Sequence, residues 1–400
     1  MAPCSSKGYI RFTSTLPHRP IPEQLQIMLT QTVQFDAENH DDIVYPSAIP
    51  FLLVHLATIG ILWSGVTWTA AAMCVGLYVL RMFAITAGFH RYFSHRSYDT
   101  SRAFQFVLGF IAQMSLQKGL LWWSAKHRHH HKYSDTVDDV HSPGLHGFLF
   151  AHVGWIFAAK RGKADYDLVR DLAEYPELRW LDRLQQIPGV LLAIACFLIA
   201  GWPGLFVGFF LSTAFLFHGT FAINSLAHCF GRQRYLTGDD SRNNWWLALI
   251  TLGEGWHNNH HYYQVSTRQG FRWYEVDVTY YMIKALSWVG IVWNLHTPPA
   301  EVLLGERRLS RRAIDKVAHR LAGTFHVDSL VEQAREAWSH KPHLDLREIH
   351  LPHLPSLDEL KRRASEMALR TPSLDDVAHR AREILAEAVA QRLTQEPVPA

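Results

Sequence analysis

Charged residues are missing from two long stretches of the chain. From Ile43 to Leu80, and again from Leu184 to Gly231, there is no Asp, Glu, Lys or Arg. Each stretch is about twice the ~20 residues that span a bilayer. The pattern predicts two hairpins of membrane helices. The first pairs Pro46–Trp63 with Val66–Ala87 across a break at Ser64-Gly65. The second pairs Ile187–Trp202 with Leu205–Asn224 across a turn at Pro203-Gly204. Both turns are uncharged, whereas Arg81, Arg91 and Arg96 lie at the far end of the second span, and Arg232 and Arg234 follow the fourth. By the positive-inside rule both hairpins point the same way, with the termini on the cytoplasmic side.

Shorter apolar runs lie between and after these spans. Ser101–Ser115 is too short to cross and reads as an interfacial helix. It leads through Leu120-Leu121-Trp122-Trp123 toward residue 127. Asn243–Glu254 reads as a second short apolar helix running into residue 257, and Tyr280–Trp293 as a third. Residues 1–42 are polar and read as a cytoplasmic lead-in. Residues 43–298 read as the membrane domain, and 299–400 as a charged helical extension. In the extension, Val317-Ala318-His319-Arg320 recurs as Val377-Ala378-His379-Arg380, and Pro355-Ser356-Leu357-Asp358 as Pro372-Ser373-Leu374-Asp375. Ser373 with Asp376 resembles a helix capping box. The predicted fold is all-α: four membrane helices under a helical cytosolic cap.

The candidate chemistry is histidine. His127, His130 and His131 are spaced i, i+3, i+4, which places them on one helix face. His257, His260 and His261 repeat the spacing, and His90 and His95 precede both. His129 points off its face. Asn224 and His228 share a face near the end of the fourth span, which makes His228 a candidate ninth imidazole and Asn224 its neighbour. Neutral imidazole suits Zn, Cu, Fe and Ni, and eight or nine are more than one ion uses. A structural zinc takes four ligands and a catalytic zinc three. Together with the absence of HExxH, this favours two irons. The four cysteines show no CxxC spacing, so thiolate sites and a disulfide framework are not expected. The net charge of +3 leaves no nucleic-acid footprint. His55, His152, His218, His319, His340 and His379 read as ordinary polar residues.

The three histidine clusters, in this order and with these flanks, resemble the histidine boxes of membrane fatty acyl desaturases of the delta-9, acyl-CoA type. Gly88-Phe89, Lys132-Tyr133-Ser134-Asp135, His152-Val153-Gly154-Trp155, Asn224 to His228 and Gly253-Glu254-Gly255-Trp256 carry the likeness, which covers residues 40–295. It implies two irons held by His90, His95, His127, His130, His131, His228, His257, His260 and His261, with Asn224 reaching one iron through water. The implied reaction is O2-dependent removal of two hydrogens from a saturated acyl chain. Animal acyl-CoA members read Trp-Ala-Arg-Asp before the second box, where this chain reads Trp123-Ser124-Ala125-Lys126. Where the family often has an Arg-Lys pair, this chain has Lys160 and Arg161. The head group is therefore open between coenzyme A, carrier protein and lipid, with Trp123, Lys126, Lys160 and Arg161 as candidate contacts. No haem or iron–sulfur motif is present, so electrons are expected from a separate ferredoxin, b-type cytochrome or NAD(P)H reductase. A membrane di-iron hydroxylase and a non-enzymatic metal carrier are the competing readings.

Overall fold

Side-chain caps start many of the helices. Thr67 accepts from Ala70 N at 3.2 Å, Ser101 from Phe104 N at 3.2 Å, Asn244 from Leu247 N at 3.3 Å and Asp277 from Tyr280 N at 2.9 Å. Each satisfies a backbone donor that the first helical turn leaves without a partner. The computed structural model describes residues 49–158, 164–339, 354–366 and 371–395. The predicted N-terminal lead-in, and Lys160, Arg161 and His340, lie outside the described residues.

The chain divides into two units. The first holds residues 1–232, 242–260 and 264–296, and the second 233–241, 261–263 and 297–400. In the first unit the helices of six or more described residues are α1 (Ile49–Ser64), α2 (Trp68–Ser94), α3 (Arg102–Gln113), α4 (Leu120–Tyr133), α5 (Pro176–Arg183), α6 (Ile187–Cys229), α7 (Trp245–Ile250), α8 (His257–Tyr262, whose last two residues fall in the second unit) and α9 (Val278–Trp288). The expectation of an all-α fold needs one correction. Asp99–Thr100 pairs antiparallel with Val292–Trp293, so β1 and β2 tie the end of the first histidine segment to the chain beyond α9.

Two helices, α2 and α6, are long and apolar enough to cross a membrane. α1 is apolar but shorter. The second predicted turn is displaced. Pro203 continues the helix, and the non-helical residues are Ala200 and Gly201, with φ of −137° and 60°. A left-handed backbone favours glycine, which has no Cβ to clash. Arg81 and Arg91 also differ from expectation. Both are buried and neither faces solvent. Arg81 donates to Thr213 Oγ1 at 2.7 Å and Ser212 Oγ at 2.6 Å, joining α2 to α6. The core around them gathers Phe89 and Phe93 of α2, Leu108 of α3, Leu120 of α4 and Leu181 of α5.

The second unit is helical: α10 (Arg311–Ala322), α11 (Val327–Ser339), α12 (Leu357–Glu366) and α13 (Leu374–Gln395). The repeated tetrapeptides are equivalent apolar faces, since Val317, Ala318, Val377 and Ala378 share one core with Leu360 and Leu385. The capping expectation shifts between the repeats. Ser356 Oγ accepts from Glu359 N at 3.1 Å, whereas Ser373 Oγ accepts from Leu309 N at 3.0 Å.

Candidate metal centre

The first pair of histidines depends on a change of helical winding. From Ala84 to Ser94, α2 becomes a π-helix. His95 N donates to His90 O at 3.2 Å, the i+5 bond of that form. In an α-helix, residues five apart point about 140° away from each other. Here the wider winding brings the two rings to 4.9 Å between centroids.

α4 supplies the next three. Its start is pinned by Asp182 Oδ1, which accepts from Leu121 N at 2.8 Å and Trp122 N at 3.3 Å. The third cluster is delivered differently from expectation. α7 ends at Ile250, and Leu252 and Gly253 turn the chain at positive φ. A Cβ on Gly253 would lie 2.4 Å from Asp277 Oδ1, so only glycine fits. His257 then opens a new helix, α8, and is not the end of the apolar one.

The nine imidazoles singled out by the sequence form two groups. His90, His95, His127, His131 and His260 make the first, and His130, His228, His257 and His261 the second. Within each, the candidate ligand atoms lie within 4.8 Å of one another. In the first group the Nε2 atoms follow in sequence: His90 to His260 2.9 Å, His260 to His131 2.9 Å, His131 to His127 2.9 Å and His127 to His95 2.8 Å. In the second, His228 Nε2 lies 3.1 Å from His257 Nε2. His261 stands one turn beyond His257 on the same helix.

Carboxylates hold the outer nitrogens. His90 Nδ1 meets Glu254 Oε2 at 2.5 Å, His130 Nδ1 meets Asp139 Oδ1 at 2.9 Å, His228 Nδ1 meets Asp135 Oδ2 at 2.8 Å, and His261 Nδ1 meets Asp239 Oδ2 at 2.8 Å. An ionised carboxylate only accepts, so each of these Nδ1 atoms carries the proton and each Nε2 presents a lone pair. Neighbouring Nε2 atoms that both present lone pairs repel at these distances unless a cation stands between them. Ligand nitrogens about 2.0–2.1 Å from one ion, at right angles, would sit about 3 Å apart. The donor set and its spacing thus fit a divalent transition metal in each group, and both groups can hold a metal ion.

The carboxylates are themselves fixed. Burial raises the affinity of Glu254 for a proton, but His90 and Arg91 outweigh it and hold its carboxyl below the ordinary value. Arg91 Nη2 reaches Glu254 Oε1 at 3.0 Å and Asp277 Oδ1 at 2.9 Å. Asp139 is likewise held well below its ordinary value. Burial there is opposed by the charge and hydrogen bond of His130, by His141 and by the Asp135 backbone. Burial pushes His141 down to about 3, so it stays neutral beside His130.

A cavity of about 330 Å³ reaches His127 and Asn224. Phe51, Trp155, Phe217 and Phe221 are among its apolar walls, and Lys118 and Lys126 are its basic ones. Trp123 also lines it and stacks on His127, with 5.0 Å between centroids and 19° between planes. His129 stays out of both groups and packs on Tyr133. Sequence reasoning missed the carboxylate roles. Asp135 and Asp139 follow the second cluster closely, which is a usable signal, but nothing in chain order marks Asp239.

These features define a helical protein with two imidazole groups able to hold metal beside an apolar cavity. The fatty acid desaturase family model matches residues 66–289, and the chain belongs to that family. It is 38% identical to the sn-1 stearoyl-lipid 9-desaturase of Synechocystis sp. over 252 residues, 62% of this chain and 79% of that one. It is 35% identical to an acyl-CoA 5-desaturase of Anemone leveillei, over 58% of this chain and 73% of that one. It is 34% identical to the chloroplastic palmitoyl-monogalactosyldiacylglycerol delta-7 desaturase of Arabidopsis thaliana, over 58% of this chain and 63% of that one. The chain is thus an oxidoreductase of lipid metabolism, associated with membranes. The non-enzymatic carrier is set aside.

Proposed function

We propose that this chain is a di-iron acyl desaturase that places a cis double bond at carbon 9 of a saturated acyl-lipid or acyl-CoA. The observation that carries the reading is the apolar cavity that meets His127, a member of the first histidine group, at Trp123. Such a cavity suits an acyl chain better than a polar substrate, and its size falls in the roughly 300–1,000 Å³ range of small-molecule sites. Position 9 is favoured by the names of relatives in Synechocystis and Nostoc, although other relatives are 5- and 7-desaturases.

His90, His95, His127, His131 and His260 would hold one iron. His130, His228, His257 and His261 would hold the other, with Asn224 reaching it through water. The iron pair supplies the oxidising chemistry that an unactivated methylene pair requires. Two hydrogens leave the substrate, O2 is reduced to two waters, and two electrons and two protons complete the balance. The electrons come from a separate donor protein. The chain's own work is to hold the acyl chain against Trp123, exclude water from the cavity and orient the imidazoles through their carboxylate partners. Trp123 and Lys126 contact the substrate, and Lys160 and Arg161 belong to the same proposed set.

The proposed topology is four crossings in two hairpins, with the histidine groups on the cytoplasmic side. α1 and the first part of α2 form one hairpin, and the two legs of α6 about Ala200-Gly201 form the other. Exposed Leu52, Leu53, Leu56, Leu62, Leu198 and Ile199 support it, because lipid is the natural solvent for such a surface. Trp63, Trp68 and Trp202 are exposed near the two turns, where interfacial tryptophans belong.

The deciding experiment expresses the chain in a host lacking its own desaturase and reads the fatty acids by gas chromatography and mass spectrometry. A new 9-monoene, absent with His130→Ala, is the expected result. A hydroxy acid would favour the hydroxylase, and a bond at 5 or 7 would correct the regiochemistry.

A further inference from the structure

Asp239 is the centre of an irregular loop in the second unit, residues 233–241. Its Oδ1 accepts from Thr237 Oγ1 at 2.8 Å, Ser241 Oγ at 2.6 Å and Ser241 N at 3.1 Å. Its Oδ2 meets His261 Nδ1 at 2.8 Å. One buried carboxylate therefore closes its own turn and holds an imidazole of the second group. The loop has no regular secondary structure to fix it, and a ligand set is only as well placed as what stands behind it.

What stands behind it is the C-terminal extension. Lys316 Nζ donates to Asp239 O at 2.6 Å and to Asp240 Oδ1 at 2.8 Å. Lys316 sits on α10, and its neighbour Val317 is buried in the core that α12 and α13 complete. The Lys316–Asp240 pair is partly exposed, so its Coulomb energy is small. Its value is geometric, because one ammonium spans a backbone carbonyl and a side chain of adjacent residues. Gly238 lets the helix come close, since a Cβ there would lie 2.8 Å from Arg312 Cβ. Further ties bracket the same loop. Tyr235 stacks on Tyr262 at 4.4 Å and donates to Leu303 O at 3.3 Å, while Arg307 Nη1 donates to Tyr262 O at 3.0 Å.

We infer that the C-terminal extension is the buttress of His261, with Lys316 positioning Asp239 and Asp239 positioning that imidazole. Lys316 touches neither metal nor substrate and is a positioning residue. The inference rests on the di-iron reading above and adds a role for a part of the chain beyond the family match, which ends at residue 289.

The test uses the full-length, iron-loaded protein in detergent. Iron per chain is followed against increasing ferrous chelator, with circular dichroism to report folding. Losing the partner of a ligating histidine weakens metal binding about 10–100-fold. Asp239→Asn and Lys316→Met should therefore release one of two irons at about ten-fold lower chelator, with the other iron held as in wild type. Lys316→Arg should restore wild-type retention. Lys361→Ala breaks an ion pair with Asp375 elsewhere in the same unit and should change nothing. Gly238→Ala, which presses on Arg312 from the loop side, should reproduce the selective loss even if Lys316→Met unfolds. Folded Lys316→Met or Gly238→Ala protein that keeps both irons as firmly as wild type would overturn the inference. Wild type that binds no iron would instead overturn the di-iron reading beneath it.

Discussion

His130 and His260 occupy the same place in their motifs and belong to opposite groups. Each is the middle histidine of an HxxHH. In α4 the outer pair, His127 and His131, joins the first group while His130 joins the second. In α8 the outer pair, His257 and His261, joins the second group while His260 joins the first. Each helix thus feeds both groups, and the two motifs are related by exchange. The expected single face of each motif divides between two centres.

Exchange makes the two middle histidines separable by experiment. His130→Ala should lower the iron content of the second group, and His260→Ala that of the first. Each should abolish product. His129→Ala, one residue away and outside both groups, should keep iron and activity within about two-fold, as expected of a residue that holds nothing critical. Iron per chain by plasma mass spectrometry, with product yield, checks all three.

Glu254→Gln tests the carboxylate layer. The amide keeps the size but removes the acceptor-only partner of His90 Nδ1 and one arm of the Arg91 network. Iron affinity should fall about 10–100-fold. Breaking a buried ion network by removing one partner also costs about 3–5 kcal/mol, so the melting temperature should drop as well. Unchanged iron binding would mean that Glu254 has no part in holding His90.

Much of this was legible in the sequence, and what was not has physical causes. The clusters, the off-face His129 and the short helix before them follow from α-helical periodicity. The pairing of His90 with His95 does not, because a five-residue spacing reads as divergent unless the helix is π-wound. The Ala200-Gly201 turn hid behind Pro203-Gly204, the stronger turn signal by composition. α8 was read as a continuation of α7 because residues 243–256 stay largely apolar through a turn that Gly253 alone reveals. Arg81 and Arg91 looked like topology markers, and only packing shows them satisfied inside. Asp239 had no sequence signal, since its role depends on a loop held by residues about 75 positions later.

The cavity makes a prediction that does not involve metal. Thr220 lines it and accepts a hydrogen bond from Gln117 Nε2 at 2.8 Å. Thr220→Trp should fill the space and force side chains off their rotamers, at a cost of about 1–3 kcal/mol. Product should fall at least about ten-fold while both irons remain, which separates loss of substrate space from loss of the centre. Turnover unchanged, with the tryptophan confirmed in place, would mean that the acyl chain runs elsewhere.

The proposed topology has its own test. Ser64 lies at the first turn and Lys132 in the last turn of α4, one residue before its end at Tyr133. In a chain freed of Cys4, Cys74, Cys196 and Cys229, Ser64→Cys should react with a membrane-impermeant maleimide on intact cells. Lys132→Cys should react only after permeabilisation. The reason is that the uncharged turn faces outward, while the histidine groups face the compartment that supplies electrons. Labelling of both from the same side would overturn the hairpin assignment, because Ser64 and Lys132 would then share one face of the membrane and the number of crossings between them could not be odd.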